Sequence, residues 1–330
     1  MNVLVAGGAG YIGSHTVKRL KETGHTPVIY DNVMRGHRAV ADILKVHAVW
    51  ADLNDRDMLT KTLRDRNIDC VMHFAAYAYV GESVEKPLAY YHNNVATTIN
   101  VLECMHDVGV ERFVFSSTCA VYGDPDKVPI TENEKKAPVS PYGRSKWMVE
   151  QILQDTMRGN PRFKFAALRY FNASGCATDG SIGEDHDPET HLIPVIFQVV
   201  AGQRPKLTVF GNDYPTKDGT NIRDYIHVED LADAHIAAME KMRDGEPILA
   251  NLGTGRGFSV LEIIKSVEKV TGRKVPVTYG PRRAGDAVEA YADPSYAKKI
   301  LGWEAKFKDP ETIIRSAWNW FEKRPRGYED

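Results

Sequence analysis

A glycine-rich loop stands at the start of this chain, between a short apolar run and a stretch with helical periodicity. Val3 to Ala6 form the apolar run, and Gly7-Gly8-Ala9-Gly10-Tyr11-Ile12-Gly13 follows it directly. The glycines at positions 7, 10 and 13 permit a tight turn, and the N–H groups at the start of the helix attract an anion. The pattern predicts a strand, a phosphate-binding turn and a helix, which together begin a dinucleotide-binding unit.

An acidic residue ends the second apolar run. Tyr30-Asp31-Asn32 closes that run, and Asp31 lies 18 residues after Gly13. A carboxylate there can accept hydrogen bonds from the adenosine ribose and would repel a 2′-phosphate, so it favours NAD over NADP. Arg35 and Arg38 follow nearby and weaken this preference.

Short β-type runs alternate with amphipathic stretches through the first half, which predicts a parallel sheet built from βα units. We therefore expect an α/β fold, a Rossmann-type doubly wound parallel sheet with a smaller C-terminal α/β substrate lobe. The NAD-binding domain is predicted to cover residues 1–174 and the substrate-binding lobe residues 175–330. Some segments of the lobe are expected to return to the NAD-binding domain. The predicted strands are Val3–Ala6, Pro27–Tyr30, Ala48–Trp50, Cys70–Phe74, Phe113–Ser116 and Phe165–Leu168, and the predicted helices include Tyr11–Glu22, Pro87–Asp107 and Tyr142–Met157.

The charge balance and the apolar runs exclude several classes of protein. Lys and Arg number 42 against 44 Asp and Glu, so no broad field attracts nucleic acid or a membrane surface. Without an apolar run long enough for a membrane span or a signal core, a cytoplasmic protein is expected. The cysteines at 70, 104, 119 and 176 are interpreted as reduced thiols. No metal site is predicted, and Asp185-His186-Asp187 is interpreted as a solvated loop.

A tyrosine and a lysine stand four residues apart in Pro141-Tyr142-Gly143-Arg144-Ser145-Lys146, at the start of a predicted helix. Both side chains then lie on one helix face, where an ammonium lowers the pKa of a nearby phenol, as would the positive charge of an oxidised nicotinamide. Such pairs are also common on helix surfaces. Ser116-Ser117-Thr118 ends the fifth strand, so that Thr118 can meet Tyr142 and hydrogen-bond a reacting oxygen. This trio predicts an ionised tyrosine that acts as a general base.

These motifs together resemble the extended short-chain dehydrogenase/reductase superfamily, and longer strings resemble its UDP-glucose 4-epimerases. The strings are Gly7 to His15, Gly81-Glu82-Ser83-Val84, Tyr90 to Asn94, Arg169-Tyr170-Phe171-Asn172, Phe210 to Thr216 and Arg223 to Val228. The resemblance implies an NAD-dependent enzyme, a UDP-sugar substrate bound by the C-terminal lobe, and a homodimer. It implies Tyr142 as the base, Lys146 as its partner and Thr118 as the assisting hydroxyl.

The expected binding residues form two sets. Besides residues of the glycine loop and the catalytic trio, the cofactor set includes the strand-end residues 52–53 and 74–76. It also includes Asn93 and Phe171, which the resemblance alone implies. The full cofactor set is Gly7, Gly10, Tyr11, Ile12, Gly13, Asp31, Asn32, Asp52, Leu53, Phe74, Ala75, Ala76, Asn93, Ser116, Tyr142, Lys146, Tyr170 and Phe171. The substrate set is Thr118, Tyr142, Asn172, His191, Leu192, Arg223, Arg283 and Asp286. The resemblance alone implies Asn172, Arg223, Arg283 and Asp286 as contacts to the UDP-sugar.

The residues after Thr118 narrow the expected reaction. Related dehydratases resemble Thr-Asp-Glu there, whereas this chain has Thr118-Cys119-Ala120 and offers no carboxylate for an elimination. We expect interconversion of UDP-glucose and UDP-galactose by transient oxidation at the sugar 4-position. The small Ala290 suggests that UDP-N-acetylhexosamines also fit. The alternatives are a 4-epimerase of UDP-pentoses or UDP-uronates, or a non-catalytic NAD-sensing regulator.

Overall fold

Seven parallel strands form the central sheet of the protein, in a computed structural model that describes residues 1–283 and 285–329. The strands of the chain are β1 (Asn2–Ala6), β2 (Thr26–Asp31), β3 (His47–Trp50), β4 (Cys70–His73), β5 (Arg112–Thr118), β6 (Lys164–Tyr170), β7 (Asn172–Ser174), β8 (Leu207–Phe210), β9 (Ile222–Arg223), β10 (Tyr225–His227), β11 (Ile248–Leu252), β12 (Phe258–Ser259), β13 (Val277–Gly280) and β14 (Glu289–Ala290). The order in the central sheet is β11-β6-β5-β4-β1-β2-β3. Successive strands are added on one side of β1 up to β3 and on its other side from β4 onward, so the switch point where such folds bind ligands lies between β1 and β4.

Helices cover both faces of this sheet. They are α1 (Tyr11–Glu22), α2 (Ala39–Leu44), α3 (Arg56–Asp65), α4 (Val80–Glu85), α5 (Pro87–Tyr91), α6 (Thr97–Val108), α7 (Pro141–Gly159), α8 (Leu192–Val200), α9 (Val228–Lys241), α10 (Val260–Thr271), α11 (Ser295–Leu301) and α12 (Pro310–Lys323). One apolar core lies between the sheet and α1 with α9, and a second lies between the sheet and α3, α6 and α7. The predicted Rossmann-type fold is therefore confirmed. Within the described residues, no helix combines the length and the apolar character that crossing a bilayer requires.

The helix predicted over Pro87–Asp107 is interrupted. A π-helical turn at His92–Ala96 separates α5 from α6. The side chain of Asn94 in this turn accepts a hydrogen bond from the N–H of Tyr77 and donates to the carbonyl oxygen of Tyr77. It also donates to the Ser145 hydroxyl at 3.0 Å. The widened turn thus ties the loop after β4 to α7, and helical periodicity alone did not predict it.

Small sheets and three helices build the C-terminal part. β7 pairs with β10, β9 with β12 and β14, and β8 with β13, while α8, α10 and α12 pack around an apolar cluster of their own. In contrast, β11 pairs with β6 at the edge of the central sheet, and α9 packs against α1. Segments of the second half therefore belong to the central layer, whereas the domain boundary at residue 174 stays a prediction.

Candidate active site

The glycine loop brings the backbone of β1 close to that of β4. Gly7 has a φ of +78°, and a Cβ atom added there would lie 2.6 Å from the backbone nitrogen of Ala75. A Cβ at Gly13 would lie 2.1 Å from the carbonyl oxygen of Gly7. Gly10 precedes α1 and provides no side-chain cap, so the N–H groups of Tyr11, Ile12 and Gly13 in the first turn can serve an external anion. Only glycine fits at positions 7 and 13. The loop backbone and the N–H groups of the first helical turn together form a cradle that suits a pyrophosphate.

Asp31 lies at the end of β2, directly beside this cradle. Its Oδ2 accepts a hydrogen bond from Ala9 N at 3.0 Å, and its Oδ1 accepts one from Val33 N at 2.8 Å. Burial raises the pKa of the carboxyl group, although both N–H donors oppose that effect. The next strand end is linked to it, because the Asn32 side chain donates to Asp52 at 2.8 Å.

A cleft beside β1, β2 and β4 brings most of the predicted cofactor residues together. Members of the predicted set that line it are Gly7, Gly10, Asp31, Asn32, Asp52, Leu53, Phe74, Ala75, Ala76 and Asn93. The sequence analysis did not assign Tyr77, Met34, Gly36 and Thr97, which also line it, and it treated Arg35 only as a charge. Tyr77 follows Ala76, and residues 34–36 follow Asn32, so adjacency to the two strand ends was the available signal.

The catalytic trio assembles at the carboxyl end of β5. Ser140 caps α7 by accepting a hydrogen bond from Gly143 N, which fixes the start of the helix that carries Tyr142 and Lys146. Thr118 is the last residue of β5, and its hydroxyl lies close enough to the Tyr142 phenol to lower the pKa of that phenol. The next turn, Cys119–Val121, has no carboxylate side chain. The predicted tyrosine and threonine therefore meet in the folded chain.

Lys146 points into the protein rather than into solvent. Its Nζ donates to the carbonyl oxygen of Ser116 at 2.8 Å and lies 4.7 Å from the centre of the Phe115 ring. Burial lowers the pKa of Lys146 to about 7. The Ser116 hydroxyl in turn lies 2.5 Å from the Tyr170 hydroxyl, so three predicted residues, Lys146, Ser116 and Tyr170, gather around one strand end.

The expected ionisation of Tyr142 is wrong for the protein by itself. Burial raises the pKa of its phenol and the neighbouring Tyr170 raises it further, while the nearby Thr118 hydroxyl only partly opposes them. The ammonium of Lys146 donates to the Ser116 carbonyl oxygen, and Lys146 is not among the main influences on the pKa of the Tyr142 phenol. At neutral pH the phenol is therefore protonated, and its activation requires an additional positive charge.

A buried ion pair supports the two strands behind the trio. Glu150 on α7 receives Nε and Nη2 of Arg169 from β6 at 2.9 and 2.6 Å, and it also accepts from the Ser117 hydroxyl at 2.5 Å. Arg169 continues to the Tyr122 hydroxyl at 2.9 Å. Because Ser117 precedes Thr118, the network holds the strand end and α7 in register. Phe171, also in the predicted cofactor set, is buried against Tyr122.

The predicted substrate residues come from several elements of the second half. Asn172 in β7 is exposed, and its N–H donates to the carbonyl oxygen of Asp224. Arg223 in β9 lies 3.6 Å from Asp286, and its charge is close enough to Cys119 to lower the pKa of that thiol, which burial raises to about 12. Arg283 packs its guanidinium 4.1 Å from the Phe210 ring centre.

His191 and Leu192 lie at the start of α8. His191 is the residue before the helix and has extended backbone angles, and Leu192 is its first residue. The imidazole of His191 lies 2.9 Å from Glu189 and is part of a cluster of histidine and glutamate side chains. The N-terminus of α8 thus provides further N–H groups for an anion.

Comparison with known proteins matches this geometry. The sequence profile of the NAD dependent epimerase/dehydratase family matches residues 3–253. The UDP-glucose 4-epimerase of Lacticaseibacillus casei is 48% identical over 333 residues, with 100% of this chain and 99% of that protein covered. A UDP-glucose 4-epimerase structure from Stenotrophomonas maltophila, with bound NAD and formylated UDP-arabinopyranose, has a TM-score of 0.95 at 43% identity and 99% coverage of both chains.

A second crystal structure, of UDP-glucose 4-epimerase from Bifidobacterium longum in complex with NAD⁺ and UDP, has a TM-score of 0.95 at 40% identity. It covers 99% of this chain and 100% of that one. Profile, relative and structures agree over nearly the whole length, which confirms the resemblance drawn from the motifs. The chain belongs to the NAD dependent epimerase/dehydratase family, among the relatives named UDP-glucose 4-epimerase.

Proposed function

We propose that this protein interconverts UDP-glucose and UDP-galactose with tightly bound NAD. The observation that carries the proposal is the approach of Thr118 to Tyr142 at the end of β5, in a fold that also forms a dinucleotide cleft and brings Arg223 near Cys119. The names and ligands of the relatives support the same substrate and cofactor.

The residues present suit NAD. The backbone of the Gly7–Gly13 loop would hold the pyrophosphate, and Asp31 would accept from the adenosine ribose hydroxyls. Lys146, Ser116 and Tyr170, which are linked at the end of β5, would hold the nicotinamide ribose. Bound in its oxidised form, NAD would supply a reversible hydride acceptor and a positive charge that favours the phenolate form of Tyr142.

Tyr142 removes the proton of the sugar 4-hydroxyl and later returns it. The Thr118 hydroxyl, which lies near the phenol, would hydrogen-bond the reacting oxygen and hold it toward that base. Lys146 contributes mainly by orienting the strand end through its bond to the Ser116 carbonyl. The chemistry therefore needs a proton carrier and an orienting hydroxyl, and both are present.

The substrate residues grip the nucleotide and leave the sugar free. Arg223 and Arg283 neutralise the diphosphate, and Asp286 accepts from the uridine ribose hydroxyls. Asn172 and the N–H group of Leu192 would hold further phosphate or sugar oxygens, whereas the His191 N–H donates to Glu189 at 2.7 Å. A loosely held 4-keto sugar can turn its other face to the cofactor, which inversion at the 4-position requires.

Elimination of water is disfavoured by the residues next to Thr118. Cys119 and Ala120 follow it, and burial raises the pKa of the Cys119 thiol to about 12. A neutral thiol and a methyl group supply no acid or base for a dehydration. The 4-keto sugar is therefore reduced again with inverted configuration instead of losing water.

Product analysis with a panel of UDP-sugars tests the proposal. Purified protein should carry NAD and convert UDP-galactose to UDP-glucose without a net change in the NAD/NADH ratio. Steady accumulation of NADH would contradict an epimerase, and turnover of UDP-pentoses or UDP-uronates alone would favour those alternative substrates. Turnover of UDP-N-acetylglucosamine would support the pocket inferred from Ala290. Absence of turnover with every sugar would favour an NAD-sensing regulator.

We infer that the protein forms a homodimer through α4, α5 and α7. These helices pack together and expose apolar side chains, including Val84 at 64%, Leu88 at 80% and Met148 at 43%. Replacing Leu88 with glutamate should convert the dimer to a monomer in sedimentation velocity runs. Tyr279→Glu on β13, which is 50% exposed elsewhere, should leave the oligomeric state unchanged. An unaltered dimer in the Leu88 variant would place the interface on another face.

A further inference from the structure

Four side chains with metal-ligating atoms converge in the segment before α8. Glu184, His186, Glu189 and His191 each offer one ligand atom, and these atoms all lie within 4.8 Å of one another. The sequence analysis interpreted residues 185–187 as a solvated loop. In the structure the His186 side chain is only 16% exposed, and those of Glu184 and Glu189 are 5% exposed. The solvated-loop interpretation is therefore wrong for His186, because the segment folds its imidazole inward against Tyr11.

The distances between these atoms match a small coordination sphere. His186 Nδ1 lies 3.5 Å from Glu184 Oε1 and 3.4 Å from Glu189 Oε2. His191 Nδ1 lies 3.2 Å from Glu184 Oε1 and 2.9 Å from Glu189 Oε1. Zinc–ligand bonds of about 2.0–2.1 Å in a tetrahedron separate neighbouring ligand atoms by about 3.3 Å. The side chains would need only small shifts to surround one ion.

Glu184 provides a second, independent observation. The residue is 9% exposed, and its Oε1 is buried without a hydrogen-bond partner among the described residues. This oxygen faces both imidazoles, yet neither contact has hydrogen-bond geometry. A buried carboxylate oxygen without a hydrogen-bond partner destabilises the folded state. A cation between this oxygen and the imidazoles would supply the missing interaction.

The charges of the cluster also suit a cation. A metal ion binds imidazole in its neutral form and carboxyl groups in their ionised form. In those forms the two carboxylates and two imidazoles would carry a net charge of −2, which a divalent ion balances.

We propose that Glu184, His186, Glu189 and His191 bind one divalent transition-metal ion, with Zn²⁺ the best match. Two imidazole nitrogens and two carboxylate oxygens suit zinc, whereas Mg²⁺ and Ca²⁺ prefer oxygen ligands alone. The ion would be structural. It joins residues 184–191 into one closed loop that packs against Tyr11, whose hydroxyl donates to the Gly175 carbonyl oxygen. It would thereby fix the start of α8 relative to the start of α1.

Metal titration of the full chain without a histidine tag tests this proposal. Protein stripped with EDTA should bind one Zn²⁺ per chain in competition with a chromophoric chelator, and Co²⁺ should give the intense visible absorption of a tetrahedral complex. A hundredfold excess of Zn²⁺ over its Kd should raise Tm by about 4 °C or more. Glu184→Gln and His186→Asn should each weaken Zn²⁺ binding at least about tenfold.

The matched control is His25→Asn. His25 also faces a carboxylate, Glu240 at 3.2 Å, but it lies outside the cluster, so this variant should bind Zn²⁺ like the parent protein. Undiminished binding by folded Glu184→Gln and His186→Asn proteins would overturn the proposal, because the ion would then lie elsewhere. If those variants do not fold, the Zn²⁺ titration, Co²⁺ spectrum and Tm of the parent protein test the proposal. Absence of stoichiometric Zn²⁺ binding, or a weak octahedral-type Co²⁺ spectrum with unchanged Tm, would also overturn it.

Discussion

Replacing Tyr142 with phenylalanine is expected to lower kcat about 10²- to 10⁴-fold while NAD remains bound. The loss corresponds to about 3–5 kcal/mol of transition-state stabilisation, the usual contribution of a positioned general base. Phenylalanine keeps the ring and removes only the oxygen that lies near the Thr118 hydroxyl. Steady-state assays of UDP-galactose conversion, together with NAD release on denaturation, measure the two quantities separately.

The pH dependence adds a second test of the same role. Because burial raises the pKa of Tyr142, parent turnover should rise with pH above neutrality as the phenolate becomes more populated. The Tyr142→Phe protein should lose that rise. Tyr296→Phe, on the partly exposed helix α11, is the matched control and should behave as the parent. Full activity of the Tyr142 variant would remove the residue from the mechanism.

Replacing Glu150 with alanine is expected to lower the free energy of unfolding by about 3–5 kcal/mol. The substitution leaves the Arg169 guanidinium buried without its carboxylate, and removing one partner of a buried pair has a cost of this size. The Ser117 hydroxyl loses its acceptor at the same time. Urea unfolding followed by circular dichroism measures the change.

Two further variants separate the buried charge from general disruption. Glu304→Ala removes an exposed carboxylate that pairs with Lys298 and Lys308, and it should leave the free energy of unfolding nearly unchanged. Replacing both Glu150 and Arg169 with leucine should recover much of the loss, because no charge is then left unpaired. Equal destabilisation by Glu150→Ala and Glu304→Ala would contradict the assigned importance of the buried pair.

Much of the central fold could be predicted from local patterns. The glycine loop, the β-type runs and α1 were all found, because each is encoded by neighbouring residues. The interruption at His92–Ala96 was missed, since it depends on bonds from Asn94 to Tyr77 and Ser145 that are distant in sequence. The edge strand β11 was not located for the same reason, as its partner β6 lies about eighty residues earlier in the chain.

The site was predictable as a set of residues, but its electrostatics were not. The spacing of Tyr142 and Lys146 placed both on one helix face, yet it could not reveal that Lys146 bonds to the Ser116 carbonyl. The phenol was consequently expected to be ionised, whereas burial keeps it protonated. The cluster around Glu184 was missed because its four ligands have no recognised spacing and meet only when the segment folds back.

The position of β11 has a consequence for synthesis of the chain. When β6 has left the ribosome, its outer edge has no neighbour until residue 252 follows, a delay of roughly 4–16 s at ordinary translation rates. During that interval the nascent sheet presents unpaired backbone groups and the bare face of α1 that α9 later covers. A newly made polypeptide of this kind should depend on holding chaperones until three quarters of it has emerged.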